Sequence, residues 1–242
     1  MREYTQQYQI TKFFNWSFPP QRVRQNSPMR LDHISYVTSQ TQLADTIQRI
    51  GSRLRTTFVD GGIHPRFGTR NFTAPLKNGR YLEVVCPLDH PVTEQTPWGK
   101  AVLNKANYGG GWFTWVFSTE NIRSVEFKFG RESIEGNRMR PNGSELKWKQ
   151  IGVKEIIDYP EFPFFIQWLT NDHPSKDGKA EASVTKIVIA DENRLTKSFF
   201  KSEIYDSMED VEIEWIDPKK NEGNHGIVSV SFTSPIGVTV ID

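Results

Sequence analysis

The sequence predicts an α+β fold in which βαβββ units repeat and curved mixed sheets close around a cup. Three observations predict it. A strand, a helix and then several strands recur in that order along the chain, the helix marked by 3.6-residue spacing and the strands by alternation. The turn Lys77-Asn78-Gly79 carries Asn-Gly, the strongest short hairpin signal, and makes the strands on either side antiparallel neighbours. In the first unit, the sheet face away from the helix is more polar than packing requires.

Residues 1–29 are rich in Gln, Arg and aromatics, contain Pro19, Pro20 and Pro28, and read as an N-terminal arm, with the ordered fold beginning near Met29. The first unit spans residues 30–90. A strand alternates over 31–38, Leu43, Ile47 and Ile50 recur at helical spacing with Gly51 as the expected C-cap, and strands follow at 55–60, 71–76 and 80–86. Residues 91–111 form a linker with Pro91, Pro97, a short helix over 98–105 and the run Gly109-Gly110-Gly111. That run lacks the spacing and the Lys-Ser/Thr ending of a phosphate loop and reads as a joint. The second unit spans 112–170, with a strand at 112–118, a helix at 122–129 and extended segments at 133–139, 144–153 and 163–169. After a polar linker at 171–183 comes a third, shortened unit over 184–242. Its expected parts are a strand at 184–190, a helix around 195–202 and strands at 211–215, 227–232 and 238–241.

Each unit covers one face of its sheet with its own helix, so the other face must find a partner or a ligand. Two units side by side line a concave site of the kind that binds small molecules. In 242 residues, 30 Lys plus Arg stand against 29 Asp plus Glu, a balance that argues against a general nucleic-acid or anionic-membrane binder. The lone Cys86 excludes an internal disulfide and a cysteine-cluster metal site. It lies on the helix-side apolar face before Pro87 and reads as a small buried hydrophobe. No apolar run approaches the roughly 18 residues of a membrane-spanning helix. No secretory signal is recognisable, so a cytoplasmic protein is expected, and a homo-oligomer is compatible with the composition.

Strand alternation places His33, Ser35, Asn71, Thr73, Tyr81 and Glu83 together on the cup side. A buried carboxylate beside a histidine is costly unless it pairs, binds a cation or does proton chemistry. His33 and Glu83 form a mixed nitrogen and oxygen set acceptable to several divalent metals. Alternatively, they bond each other or the substrate in a metal-free cup. At the position of Glu83 the second unit offers Gln167, whose carbonyl oxygen coordinates weakly, and near that of His33 it offers Thr114. The stretch 60–71 is the most unusual. Its glycines permit unusual backbone, and Pro65 restricts His64 to extended conformations, which suits a positioned general acid or base. Arg66 or Arg70 beside it suits a carboxylate or phosphate. The alternative for this stretch is a long hairpin loop with polar tips.

Leu31-Asp32-His33-Ile34, the Gly-Gly-x-His-Pro-x-x-Gly-Thr-x-Asn stretch ending at Asn71, and Gly79-Arg80-Tyr81-Leu82-Glu83-Val84 together resemble the glyoxalase-like domain proteins of the vicinal oxygen chelate superfamily. The resemblance is strongest over residues 31–87. It implies paired βαβββ units around a cup and one divalent metal ion of unspecified identity. His33 would hold the first-strand ligand position and Glu83 the fourth-strand one. Gln167 stands where a second Glu is expected, and no histidine opens the second unit. The combined expectation is an enzyme of lyase, isomerase or dioxygenase type acting on a small carbonyl- or vicinal-oxygen-containing molecule. Glu83 and His64 would be catalytic, and Arg66, Asn71, Thr73, Tyr81 and Gln167 would contact substrate. The competing expectation is a non-catalytic small-molecule-binding protein of sequestration or resistance type, favoured by an aromatic content of 12% and the incomplete ligand set.

Overall fold

The computed structural model describes residues 29–191, 208 and 210–242. The arm before Met29 and the expected helix around 195–202 lie outside the described residues. In chain order the first half contains β1 (Met29–Val37), α1 (Leu43–Leu54), β2 (Val59–His64), β3 (Thr69–Leu76) and β4 (Arg80–Pro87). Two helices, α2 (Pro91–Gln95) and α3 (Pro97–Asn107), lead to β5 (Gly111–Thr119), α4 (Arg123–Phe129), β6 (Ile134–Met139), β7 (Glu145–Ile151), α5 (Glu155–Asp158) and β8 (Phe164–Trp168). The chain ends with β9 (Ser183–Ala190), β10 (Glu212–Ile216), β11 (Gly226–Ser234) and β12 (Gly237–Ile241).

The first eight strands close into a barrel in the order β1-β4-β3-β2-β6-β7-β8-β5. In each half the first strand lies parallel to the fourth, β1 on β4 and β5 on β8. The halves join through antiparallel β1–β5 and through the single pair Ile63 and Met139 between β2 and β6. β4 is buried along its whole length because it lies between β1 and β3, with one side toward the interior and the other toward apolar packing. The β3–β4 hairpin turns on Asn78 and Gly79 at φ 61° and 68°, the two left-handed residues that a right-twisted two-residue turn requires.

The remaining strands form a second sheet, β10-β9-β11-β12. Its connectivity differs from that of the barrel halves: β9 lies parallel to the next strand, β10, rather than to the last one. This sheet packs on the barrel at β5, where Trp112 Nε1 donates to the Ile241 carbonyl at 2.8 Å and its ring stacks on Phe232 at 6.3 Å. Trp115 and Phe117 of β5 and Phe165 of β8 are fully buried, each side chain contributing about 1.5–3 kcal/mol by leaving water.

Two local expectations change. Gly51 lies inside α1, which continues to Leu54 and is capped by Arg55 in the left-handed region, because the Gly51 carbonyl still has a donor in the Thr56 amide at 3.0 Å. The stretch 60–71 is largely strand. β2 and β3 pair from Val59–Thr73 to His64–Thr69, so only Pro65 to Gly68 form the turn. His64 therefore sits on a paired strand and not at a loop tip.

Candidate functional site

The interior wall built by β1, β3 and β4 centres on Glu83. Ser35 Oγ donates to its Oε2 at 2.5 Å, and Asn71 Nδ2 donates to its Oε1 at 2.6 Å. Burial alone would raise the Glu83 pKa. The His33 charge and the hydrogen bonds from Ser35 and Asn71 outweigh it and hold the carboxyl below its ordinary value. His33 Nε2 lies 3.9 Å from Glu83 Oε2, and its ring stacks on Tyr81 with centroids 4.3 Å apart.

Behind His33 stands Asp32, completely buried. His33 Nδ1 is 2.9 Å from its Oδ1, while Trp168 Nε1 and Arg30 Nη2 donate to its Oδ2 at 3.1 and 3.2 Å and His173 Nε2 lies 3.1 Å from the same oxygen. Burial pushes the Asp32 pKa up, but the hydrogen bonds and charges of His173 and His33 hold it well below the carboxylate range. An ionised carboxylate accepting from Nδ1–H fixes the orientation of the His33 ring, with Nε2 on the side of Glu83. Adjacent strand residues ordinarily face opposite ways. Here the β1–β5 register slips between Leu31 and His33, and Asp32 is the extra residue.

The facing wall comes from the second half. Arg138 of β6 is 2% exposed, and its Nη1 donates to Asn71 Oδ1 at 3.1 Å. Gln150 of β7 accepts from Trp148 Nε1 at 2.7 Å, which orients its amide so that Nε2, without a partner, is a spare donor. Trp98 of α3, Phe164 and Trp168 add aromatic surface. These walls enclose a cavity of ≈ 40 Å³, room on the order of three waters. Phe67, Trp98 and Gln150 also line an adjoining, mostly apolar cavity of ≈ 320 Å³.

The family model of the glyoxalase-like domain matches residues 31–200. The chain belongs to the glyoxalase-like domain family. That family lies within the vicinal oxygen chelate superfamily. The crystal structure of a hypothetical protein from Staphylococcus aureus superposes with a TM-score of 0.54 at 19% identity, over 74% of this chain and 76% of its own. Methylmalonyl-CoA epimerase from Mycobacterium tuberculosis gives a TM-score of 0.40 at 14% identity, over 61% of this chain and 92% of the enzyme. A hypothetical protein from Bacillus halodurans gives 0.38 at 14% identity, over 60% and 96%. The staphylococcal likeness is one of fold. No curated protein matches the sequence.

In this glyoxalase-like domain, His33, His64, Asn71, Tyr81 and Glu83 line the cavity together. His64 Nδ1 is 2.8 Å from Thr69 Oγ1, and burial lowers its pKa to about 4 even with the Glu83 charge opposing, so the ring is neutral at neutral pH. Thr73 is buried with its hydroxyl unpartnered but is not part of the cavity lining. Arg66 and Gln167 lie outside the cavity lining. Arg66 lies in the β2–β3 turn, its side chain 55% exposed, where it donates to the Glu135 carbonyl at 3.3 Å. Gln167 faces away from the cavity that its neighbours Ile166 and Trp168 line, and its Oε1 accepts from the Ile122 amide at 3.1 Å, capping α4. Cys86 is buried with its thiol pushed up to about 11, in keeping with a packing role. Arg138, Gln150 and Trp98 escaped the sequence reading. The only signal was the burial-compatible alternation of Gly136 and Arg138 along β6.

The donor set does not fit a divalent ion as it stands. His33 and Glu83 are two ligands, both Glu83 oxygens already accept hydrogen bonds, and the Arg138 guanidinium adjoins them. Among the described residues no group of three or more His, Cys, Asp or Glu is placed to hold a metal. Gly61 shows how tightly the polar wall is built. A Cβ there would lie 2.2 Å from Asn71 Oδ1 and 2.7 Å from Arg138 Nη1. Gly61→Ala is expected to displace both side chains and cost about 1–3 kcal/mol, the usual penalty of overpacking, read as a lower urea midpoint.

Proposed function

We propose that this glyoxalase-like domain is an enzyme that moves a proton on a small carbonyl compound, in isomerase or lyase chemistry, with His33 as the base. The observation that carries this reading is the setting of His33. Its Nδ1 is tied to buried Asp32, its Nε2 makes no hydrogen bond among the described residues, and the Glu83 carboxylate lies 3.9 Å beyond. Glu83 is the poorer base because Ser35 and Asn71 already occupy its oxygens; its charge stabilises the imidazolium that forms.

In the step, the C–H bond next to the carbonyl breaks, the proton passes to His33 Nε2, and the electron pair moves onto the carbonyl oxygen as an enolate. Gln150 Nε2 is the donor for that oxygen, its orientation set by Trp148. Return of the proton to carbon completes an isomerisation, and expulsion of a leaving group from the next carbon completes a lyase reaction. His64, neutral at neutral pH, and Tyr81 shape the cavity around the substrate.

Proton exchange in D2O, followed by NMR over a panel of 2-oxo acids, α-oxo aldehydes and hydroxyketones, tests the proposal. Exchange is expected with at least one compound and to persist after chelation. His33→Gln is expected to slow it by about 10²-fold or more, the usual share of a general base. Exchange undiminished in His33→Gln sinks the assignment. Thermal stabilisation by a compound that never exchanges supports the sequestering protein instead.

A further inference from the structure

We propose that the substrate of this cavity carries a carboxylate and that Arg138 is its receptor; the inference rests on reading the cavity as a substrate site. A guanidinium has five N–H donors in a rigid planar fork. Arg138 uses Nη1 on Asn71 and leaves Nε and Nη2, the two donors of its side-on fork, without partners, although the residue is 2% exposed. Among the described residues, no ion pair joins it to a carboxylate. Glu83 is reached only through Asn71, which gives Nδ2 to Glu83 Oε1 and takes Nη1 on Oδ1.

Two other arginines of this chain also leave Nε without a hydrogen-bond partner among the described residues, but each spends terminal nitrogens on a carboxylate. Arg80 places two nitrogens on the two oxygens of Asp210 at 2.6 and 2.7 Å. Arg140, half-buried and two residues along, reaches both oxygens of Asp177 at 2.9 Å through Nη2 alone. An arginine serving only as a strut would spend its donors in the same way. Arg138 instead is part of the cavity lining with these two donors unspent and buried, and a buried charge with unused donors is costly until an acceptor arrives. Two coplanar oxygens of a carboxylate fit a side-on fork. The small volume of the cavity, ≈ 40 Å³, favours a short acid. A short 2-oxo acid then places its carboxylate on Arg138 and its carbonyl in the chamber that His33 and Gln150 share.

Calorimetric titration of the full chain with pyruvate and 2-oxobutanoate, each against its neutral amide and against inorganic phosphate, tests this. The acids are expected to bind about tenfold or more tightly than their amides, the share of a charge-assisted fork. Arg138→Gln is expected to abolish that preference and Arg138→Lys to keep part of it. Should Arg138→Gln fail to fold, the acid-to-amide ratio in the unaltered protein and in Arg138→Lys decides. Equal binding of acid and amide, tighter binding of phosphate, or an acid preference unchanged in both variants overturns the proposal. Acids that bind through Arg138 without proton exchange leave this inference standing and remove the catalytic reading. Exchange on neutral carbonyls with no acid preference does the reverse.

Discussion

Asp32→Asn is expected to lower stability at pH 7 by about 3–5 kcal/mol, the cost of breaking a buried ion pair on one side. Four side chains converge on this carboxylate, from His33, His173, Trp168 and Arg30. An asparagine keeps the shape but offers one acceptor oxygen and turns two donors of its own toward groups that also donate. The pH dependence carries a sign. The folded-state pKa of Asp32 is depressed, so its contribution is present above the unfolded value of 3.8 and is lost as pH falls through the folded one. The gap between protein and variant, measured by urea unfolding, should therefore be full at pH 7 and narrow once the pH drops below about 4. Equal midpoints at pH 7 would mean that the four contacts contribute nothing net. Function should suffer as well, because an amide no longer fixes which nitrogen of His33 bears the proton.

Glu161→Gln should act in the opposite direction and stabilise the protein. Glu161 lies just before β8, buried, with its backbone carbonyl accepting from Trp115 Nε1 at 3.0 Å and its carboxyl 3.6 Å from His225 Nδ1. Its Oε2 has no hydrogen-bond partner among the described residues. Burial, joined by the Asp191 charge, outweighs a backbone hydrogen bond and pushes the carboxyl up to about 7 from 4.5. A raised folded-state pKa means that stability is full below the unfolded value and declines as pH rises through the folded one. Between pH 4.5 and 7.5 the native protein should lose about 2–3 kcal/mol from this group, and the neutral amide should lose none. Thermal unfolding at pH 8 and pH 4.5 checks it: a clear gain for the variant at the higher pH and parity at the lower. A variant no more stable at pH 8 would show that the carboxyl ionises there without penalty.

Much of this architecture could be read from local pattern. Alternation in residues 31–38, 71–76 and 80–86 located β1, β3 and β4 to within about two residues, and the Asn-Gly turn correctly paired the last two. The same alternation brought His33, Asn71, Tyr81 and Glu83 onto one wall, where they line one cavity. It did not place Gln167 on that wall, because β8 is short and its inward residues are Phe164, Ile166 and Trp168, so the parity counted from Glu83 does not carry over. Arg66 sits in a four-residue turn with no sheet partner, where alternation assigns no face, and its side chain is largely exposed.

What the sequence determined unaided is whatever depends on neighbours within a few positions: strand alternation, helix spacing, a hairpin turn and the polar face of the first half. The tertiary structure decided the rest. Asp32 meets His173 across 141 positions and Arg138 meets Asn71 across 67, and which groups stand opposite each other in a closed barrel depends on strand order, a one-residue slip of register and the shear between halves. None of these leaves a periodic trace in a single chain, because a side chain's own strand fixes the face it points to but not the partner waiting there.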